Sequence, residues 1–137
     1  MDEQFIPFKQ ALELKELGFN EPCMAYYNSI EPLFFEDMYR NNTNKDSRNI
    51  IYDNDCTAPL WQQTFDWFRI KHKLLSYIDT LEYDKWCFHY GNNLPSKQSL
   101  KVVEPGKFDV EDYDTYEEAR QACLEKLIEI VLNLCNK

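Results

Sequence analysis

Cys87 and His89 are the residues whose types and spacing are best suited to chemistry. Both lie in a segment of alternating character, residues 85–90, which is typical of a half-buried β-strand, so their side chains would point to one face. On one face, a thiol and an imidazole could bind a metal ion or act as nucleophile and base. The other face of this strand would carry three aromatic side chains, Trp86, Phe88 and Tyr90.

The rest of the chain gives this pair little support. His72 is the only other imidazole, and no second pair of close ligands occurs. We therefore favour a simpler interpretation, in which Cys87 is a small core residue and His89 is a partly exposed polar one. On this interpretation we expect no metal, no cofactor and no enzymatic activity, and a Cys/His-dependent enzyme is kept as an alternative.

Residues 104–118 form a strongly acidic segment, in which seven carboxylates stand against Lys107 and give a local net charge of −6. Three interpretations are open. The acids could be a solvated cap that favours the positive N-terminal end of a helix. They could hold a divalent cation, although a calcium loop needs another spacing and a central glycine. They could also present a negative binding surface to a basic protein partner. The residues assigned to that surface are Glu104, Asp109, Glu111, Asp112 and Asp114.

Aromatic residues are more abundant than a core of this size needs. The chain has nine Phe, nine Tyr and three Trp among its 137 residues, so some of them are expected to line a pocket or an interface. A pocket of aromatic and cationic side chains would suit a nucleotide-like small molecule. The residues predicted to line this alternative pocket are Trp61, Trp86, Tyr90, Arg69, Lys73 and His89.

Composition excludes several classes of function. A formal net charge of −9 opposes binding to nucleic acid, whose phosphates are neutralised by clustered Lys and Arg. Only three glycines occur, and none stands in a phosphate-cradling motif. The five cysteines lack a Cys-x-x-Cys pair, so we expect reduced thiols. The acidic start of the chain and the lack of an apolar run of about 18 residues predict a cytoplasmic protein with no membrane segment.

Hydrophobic periodicity predicts three helices. The first begins at Pro7 and ends at Gly18, which suits the left-handed position after a helix. The second starts with Thr57 or Ala58 as its cap. The third follows a capping box in residues 115–118 and carries a broad apolar stripe, which must be covered by the core or by another chain.

Two hairpins are predicted between these helices. Strands at 23–27 and 33–35 form the first, and strands at 77–83 and 85–90 form the second. The order helix, hairpin, helix, hairpin, helix predicts an α+β fold in a single domain over residues 1–137. We expect one four- or five-stranded, mostly antiparallel sheet, with the helices mainly on one face.

Two irregular segments interrupt these elements. A polar loop at about 36–57 is long for a compact domain, and such loops are commonly functional or mobile. An irregular acidic segment at about 92–114 contains the first part of the acidic binding surface.

Several segments resemble those of a known group of proteins. They are ALELKELGF at 11–19, PLWQQ at 59–63 with FDWFR at 65–69, and TYEEA at 115–119 with ACLEKLIE at 122–129. These segments are similar to parts of small uncharacterised proteins encoded by tailed phages and related mobile elements. The resemblance covers the three helices and not the polar loop. It implies a phage-related origin and no particular activity.

The sequence therefore predicts a small non-enzymatic binding protein, phage-encoded, that contacts a host or phage protein through an acidic and aromatic surface. If phage-encoded, it would act in the cytoplasm of the host cell. The alternative function is binding of a small molecule in the aromatic pocket. A homodimer, formed through the third helix or an exposed sheet edge, is compatible with each of these functions.

Overall fold

The computed structural model describes residues 2–27, 34–35, 55–92 and 111–135. In these parts of the chain it contains three α-helices and five β-strands, and the predicted α+β class is confirmed. In chain order the elements are α1 (Phe8–Glu16), β1 (Ala25–Tyr27), β2 (Phe34–Phe35), β3 (Cys56–Ala58), α2 (Trp61–His72), β4 (Leu74–Leu81), β5 (Lys85–Asn92) and α3 (Tyr116–Cys135).

The strands form two separate sheets, one in each of two compact units that comprise residues 1–64 and 65–137. The first sheet has the order β2-β1-β3 with antiparallel pairs, and the second consists of the antiparallel hairpin β4–β5. The prediction of one sheet with four or five strands and a layer of helices on it is therefore wrong. The order helix, hairpin, helix, hairpin, helix is also wrong, because β3 follows the first hairpin. The two units share α2, and the predicted single domain stays a prediction.

Strand β3 is the source of this difference. Its residues Cys56, Thr57 and Ala58 are fully buried, and they pair with β1 in a register that sets Ala25 opposite Ala58. The sequence places Thr57 or Ala58 at the cap of the second helix, whereas α2 begins at Trp61. Small and β-branched side chains fit a buried strand, but this pairing depends on a partner far away in the chain, which local patterns do not reveal.

The segment before α1 is tied to the chain between β3 and α2. The backbone N–H of Ile6 donates to the carbonyl oxygen of Pro59 at 3.1 Å, and the Tyr27 hydroxyl donates to the Ile6 carbonyl at 2.6 Å. The indole N–H of Trp61 donates to the Glu3 carbonyl at 3.1 Å. Since an unpaired polar group in the interior costs about 1–3 kcal/mol, these bonds allow Tyr27 and Trp61 to be buried.

Helix α1 ends in a Schellman motif, as the glycine predicted. Gly18 has a φ of 95°, its N–H donates to the Lys15 carbonyl at 3.1 Å, and the Phe19 N–H donates to the Leu14 carbonyl at 2.9 Å. Phe19 and Leu14 are both buried, so the turn also returns an aromatic side chain to the core of this unit. The side-chain ammonium group of Lys15 donates to the carbonyl oxygen of Asp55, just before β3, at 2.8 Å.

The second unit is built on the hairpin β4–β5, as predicted, although each strand is longer than expected. The register runs from Leu74 opposite Asn92 to Leu81 opposite Lys85. Residues 82–84 form the turn, in which Tyr83 and Asp84 have φ values of 63° and 58°. Positive φ is uncommon for residues other than glycine, and here it occurs in the tight reversal of a three-residue hairpin loop.

Helix α3 packs on one face of this hairpin. The capping box is confirmed in part, because the Glu118 N–H donates to the Thr115 hydroxyl oxygen at 3.1 Å, whereas the Glu118 carboxylate accepts from the N–H of Asp114. The buried residues of the helix follow a helical repeat: Ala119, Cys123, Leu124, Leu127, Ile128 and Val131. The predicted stripe is thus covered within the unit over most of its length, and Leu134 near its end is 46% exposed.

None of the helices in the described ranges is long and apolar enough to cross a bilayer. Residues 36–54 of the polar loop and 93–110 of the acidic segment lie outside those ranges.

The Schellman motif predicts a cost for a side chain at position 18. Gly18→Ala forces a Cβ into the left-handed region, and since no atom lies within 4 Å of that Cβ, the cost is conformational only. We expect the free energy of unfolding, measured by urea denaturation, to fall by about 1–2 kcal/mol. Gly91→Ala is the matched control, because its added Cβ also meets open space and no positive φ occurs there. Equal losses in both variants would contradict the explanation.

His72 at the end of α2 predicts a dependence of stability on pH. Its ring contacts Trp67 with centroids 4.7 Å apart, and its Nε2 atom is buried with no hydrogen-bond partner in the structure as described. Burial, and then the charge of Lys71, lower the pKa of His72 below its ordinary value of 6.5. The unfolded chain therefore takes up the proton first, so the free energy of unfolding should fall as the pH drops below about 6.5.

His72→Gln should remove that part of the pH dependence. The measurement is urea unfolding of both proteins at several pH values between 5 and 7.5. If the variant loses stability over this interval as steeply as the parent does, His72 is not the titrating group.

Candidate functional site

The described part of the acidic segment, residues 111–118, is attached to the outer edge of β5 through Tyr113. The Trp86 N–H donates to the Tyr113 carbonyl, and the Tyr113 N–H donates to the Trp86 carbonyl, both at 2.8 Å. This reciprocal pair extends the hairpin by one residue and positions the start of α3. Glu111, Asp112 and Asp114 flank Tyr113 and are exposed. The other two residues of the predicted surface, Glu104 and Asp109, lie outside the described residues.

We call the exposed carboxylates around this start of α3 the acidic ridge: Glu111, Asp112, Asp114, Glu117 and Glu118. They lie before and within the first turn of α3, where negative charge interacts favourably with the positive end of the helix dipole. This interaction offsets part of the repulsion between the carboxylates. The prediction of a solvated cap is therefore compatible with the geometry. A binding role needs further observations, which come from the partners of these carboxylates.

Some of the carboxylates on the ridge have partners and others do not. Lys85 forms an ion pair with Asp114, and this hydrogen bond, together with the charge of Asp114, raises the pKa of the exposed lysine. The Tyr113 hydroxyl donates to Glu111 at 3.1 Å, and burial, followed by that hydrogen bond, raises the pKa of Tyr113 to about 12. Asp112 has no ion pair or hydrogen bond with any described residue. The same holds for the side chain of Glu117, so two carboxylates of the ridge make no ion pair or hydrogen bond within the part of the chain that the structure describes. The charge of Asp112 acts on Lys85 from a distance and contributes to its raised pKa.

Aromatic side chains border the ridge. Tyr116 is 40% exposed and meets Trp86 edge to face, with ring centroids 5.5 Å apart. The guanidinium carbon of Arg120 lies 5.6 Å from the Tyr116 centroid, within the range of a cation–π contact. Tyr113 lies beside Phe88 at 6.1 Å. The structure thus shows which aromatic residues lie beside the acidic ones: Trp86, Tyr113 and Tyr116.

Cys87 and His89 share one face of the hairpin, as the alternation predicted. The Cys87 sulfur lies 3.7 Å from Nε2 of His89, and the same nitrogen lies 3.5 Å from Oδ2 of Asp79 on the paired strand. Tyr77 stacks on the His89 ring with centroids 4.6 Å apart. We call these four residues the open-face cluster. Cys87 is fully buried within it, and Tyr77 is 59% exposed.

This geometry does not activate the thiol. In a catalytic triad the nucleophile and the acid contact opposite nitrogens of the imidazole, whereas Cys87 and Asp79 both face Nε2 of His89. Burial, and then the charge of Asp79, raise the pKa of Cys87, so the neutral thiol is the favoured form. Among the residues with described positions, no group of three or more His, Cys, Asp or Glu side chains could hold a metal ion.

The residues predicted to line the alternative pocket belong to both units, Trp61 to the first and the other five to the second. Trp61 is buried in the unit of residues 1–64. Trp86 and Tyr90 occupy the face of β5 opposite to His89, because side chains alternate along a strand.

The two cations of that pocket are engaged locally on the surface. Arg69 forms an i,i+3 ion pair with Asp66 at 3.4 Å, and Lys73 donates to the Ile70 carbonyl at 3.0 Å.

The sequence analysis missed an exposed apolar stripe on β4. Leu75, Tyr77 and Leu81 are 41%, 59% and 39% exposed, and they share the face that carries Asp79. The sequence pattern did not indicate this stripe, because both the odd-numbered and the even-numbered residues of β4 include apolar side chains. The second set, which includes Leu74 and Ile78, points towards α3.

Comparison with known proteins adds no family to these observations. No family model matches the chain, and neither a curated protein nor a solved structure is similar to it at a significant level. The resemblance to phage-encoded proteins therefore stays a prediction.

The environment of the cysteines predicts their reactivity. Burial raises the pKa of Cys23 and Cys56 to about 12 and that of Cys123 to about 11, and it also raises the pKa of Cys87. Cys135 is exposed. Iodoacetamide at pH 8 should therefore modify the folded protein at Cys135 alone, with the other four reacting more than about a hundredfold more slowly. Intact-mass and peptide mass spectrometry measure the sites.

Cys135→Ser should abolish rapid labelling, and all remaining cysteines should react once the variant is denatured in urea. Rapid labelling of Cys87 in the folded variant would show instead that His89 does activate the thiol.

Proposed function

We propose that the protein is a non-enzymatic binding protein that contacts a basic segment of a protein partner through the acidic ridge and the aromatic residues beside it. The observation that carries this proposal is the half-exposed ring of Tyr116, which lies within the same first turn of α3 as the carboxylate of Glu117, a group with no ion pair or hydrogen bond to any described residue. A lysine- or arginine-rich segment could satisfy both groups. Its charges would face the carboxylates, and its alkyl chains would pack on the aromatic ring.

The arrangement is suited to recognition because it is held in place. The backbone pair of Trp86 and Tyr113, the ion pair of Lys85 and Asp114, and the cap of α3 each restrain the start of the ridge. A surface that is ordered before binding loses less conformational entropy when the partner arrives. Exposed charges also accelerate encounter with a partner of opposite charge and are screened by salt.

The resemblance to phage-encoded proteins extends this proposal to the origin of the chain and to its partner. On that basis the protein is phage-encoded and acts in the cytoplasm of the host cell. Its partner is a host or phage protein.

Charge reversal on the ridge tests the function. The variant Asp112→Lys with Glu117→Lys changes two carboxylates that form no ion pair or hydrogen bond with a described residue. It removes only their interaction with the helix dipole and with nearby charge, at most about 1 kcal/mol each, and circular dichroism checks that the variant is folded. The probe is a fluorescent peptide rich in lysine with one tryptophan, and its binding is measured by anisotropy at low salt. We expect the variant to bind about tenfold more weakly, since each exposed charge contact contributes up to about 1 kcal/mol.

A matched control separates a local site from simple net charge. Glu16→Lys with Glu82→Lys makes the same change in charge at two exposed positions that are not part of the ridge, and it should weaken binding less than the ridge variant does, because exposed charges act mainly on their immediate surroundings. Equal loss in both variants would mean that the peptide senses only the overall charge. Tyr116→Ala should weaken binding at high salt as well, because the contribution of the ring is not screened.

A further inference from the structure

The outer edge of β4 has no pairing strand among the residues that the structure describes. The hairpin has the order β4–β5, and β5 uses its other edge to bond Tyr113 through Trp86. Residues Leu74–Leu81 make no backbone hydrogen bond outside the hairpin to any part of the chain that the structure describes. An open strand edge of eight residues is a template for another strand, and proteins commonly shorten, charge or cover such edges.

The sequence of β4 carries little of that protection. It reads Leu-Leu-Ser-Tyr-Ile-Asp-Thr-Leu, with no lysine, proline or glycine and with Asp79 as its single charge. Tyr, Ile and Thr are strand-forming residues. The exposed stripe of Leu75, Tyr77 and Leu81 lies on the adjacent face, so the edge is bordered by apolar surface.

The hydrogen-bond pattern shows which residues face the open edge. Trp86 directs its N–H and carbonyl away from β4, towards Tyr113, so Trp86 and its partner Thr80 form a pair without mutual hydrogen bonds. By alternation, the backbone groups of Ser76, Ile78 and Thr80 point to the open edge. The one side-chain bond there agrees with this assignment, because the N–H of Thr80 donates to Oδ1 of Asp79 at 2.8 Å.

We propose that β4 pairs antiparallel with β4 of a second copy of this chain, about a two-fold axis at Ile78. A two-fold axis normal to the sheet leaves every side chain on the face of the sheet that it already occupies. Directly opposed residues must lie on the same face, so even-numbered residues pair with even-numbered ones and odd-numbered with odd-numbered ones. In this register Leu75 lies opposite the second copy's Leu81, Ser76 opposite its Thr80, and Tyr77 opposite its Asp79. Every residue from 75 to 81 then has a cross-strand partner, and the backbone groups of Ser76, Ile78 and Thr80 are all bonded.

Other two-fold registers are less complementary. An axis at Asp79 would set two carboxylates directly opposite each other, which is destabilising. An axis at Tyr77 would set Leu75 opposite the second copy's Asp79 and leave Leu81 beyond the paired region. With the axis at Ile78, the apolar stripes of the two copies join, and the second copy's Tyr77 lies beside Asp79 in the open-face cluster.

A disulfide between the copies tests this register. On a Cys135→Ser background, one preparation carries Leu75→Cys and another carries Leu81→Cys. In the proposed register these positions form a pair without mutual hydrogen bonds, with Cα atoms about 4.5 Å apart, which a disulfide can span. The two copies of residue 75 are separated by six residues along the paired strands, which places their Cα atoms about 20 Å apart. The same distance separates the two copies of residue 81, so neither can form a disulfide with itself.

The full-length chains are mixed, incubated and oxidised with diamide, and products are read on non-reducing gels. We expect a covalent dimer in the mixture and none in either preparation alone. Crosslinking in a single preparation to the same extent as in the mixture, or no crosslinking in any, would overturn the proposal.

Sedimentation equilibrium gives a second readout with no added cysteine. Asp79→Ala removes the only charge on the edge and the bond that occupies the Thr80 N–H, so we expect it to tighten the dimer at least about threefold. Leu75→Lys should weaken the dimer, whereas Leu134→Lys, at a similar exposure on α3, should not. Equal effects of the two lysine variants, or a weaker dimer for Asp79→Ala, would count against pairing at this edge. Circular dichroism confirms that each variant is folded.

Discussion

Two backbone hydrogen bonds between Trp86 and Tyr113 determine much of what the second unit can do. They attach the segment before α3 to the outer edge of β5, and they therefore set where the helix begins. With that start in place, the apolar residues of α3 meet the inner face of the hairpin, and the carboxylates of its first turn remain in solvent. The same pair occupies the edge of β5, so the open edge of this sheet is on β4.

The hairpin thereby acquires two faces of different character. On the inner face, α3 buries Cys123 and Leu127 against the strands, and Ser76 lies close enough for its hydroxyl to bond the Cys123 thiol. On the outer face, no helix among the described residues of this unit covers the stripe of β4, and Tyr77 stacks on His89. Exposed residues of this face, among them Tyr77, Asp79 and Leu81, place polar and apolar side chains side by side at the surface, and surfaces of this kind are commonly used for contacts with other molecules.

Charge has two consequences in this protein, one local and one external. Carboxylates at the start of α3 interact favourably with the helix dipole, and Lys85 forms an ion pair with one of them. The ridge is therefore compatible with a stable helix. Asp112 and Glu117 form no ion pair with a described residue and are exposed, so the described part of this segment carries net negative charge at the surface. The first effect accounts for the ridge in structural terms, and the second makes it suitable for a basic partner.

Features that depend on neighbours within a few residues could be derived from the amino-acid sequence alone. The ends of α1 at Pro7 and Gly18, the cap of α3 at Thr115, the second hairpin and the shared face of Cys87 and His89 are of this kind. Each follows from a dihedral preference, a capping bond or the twofold alternation of a strand.

The tertiary structure alone decided how these elements combine. Residues 56–58 form the third strand of a sheet rather than the start of a helix, because β1 supplies a partner that is distant in sequence. The division into two sheets has the same cause. Only the folded hairpin shows that Cys87 and Asp79 approach the same nitrogen of His89, and that acidic and aromatic residues meet at the start of α3. Local preference constrains each segment, whereas strand pairing and side-chain geometry depend on groups that only the complete fold brings together.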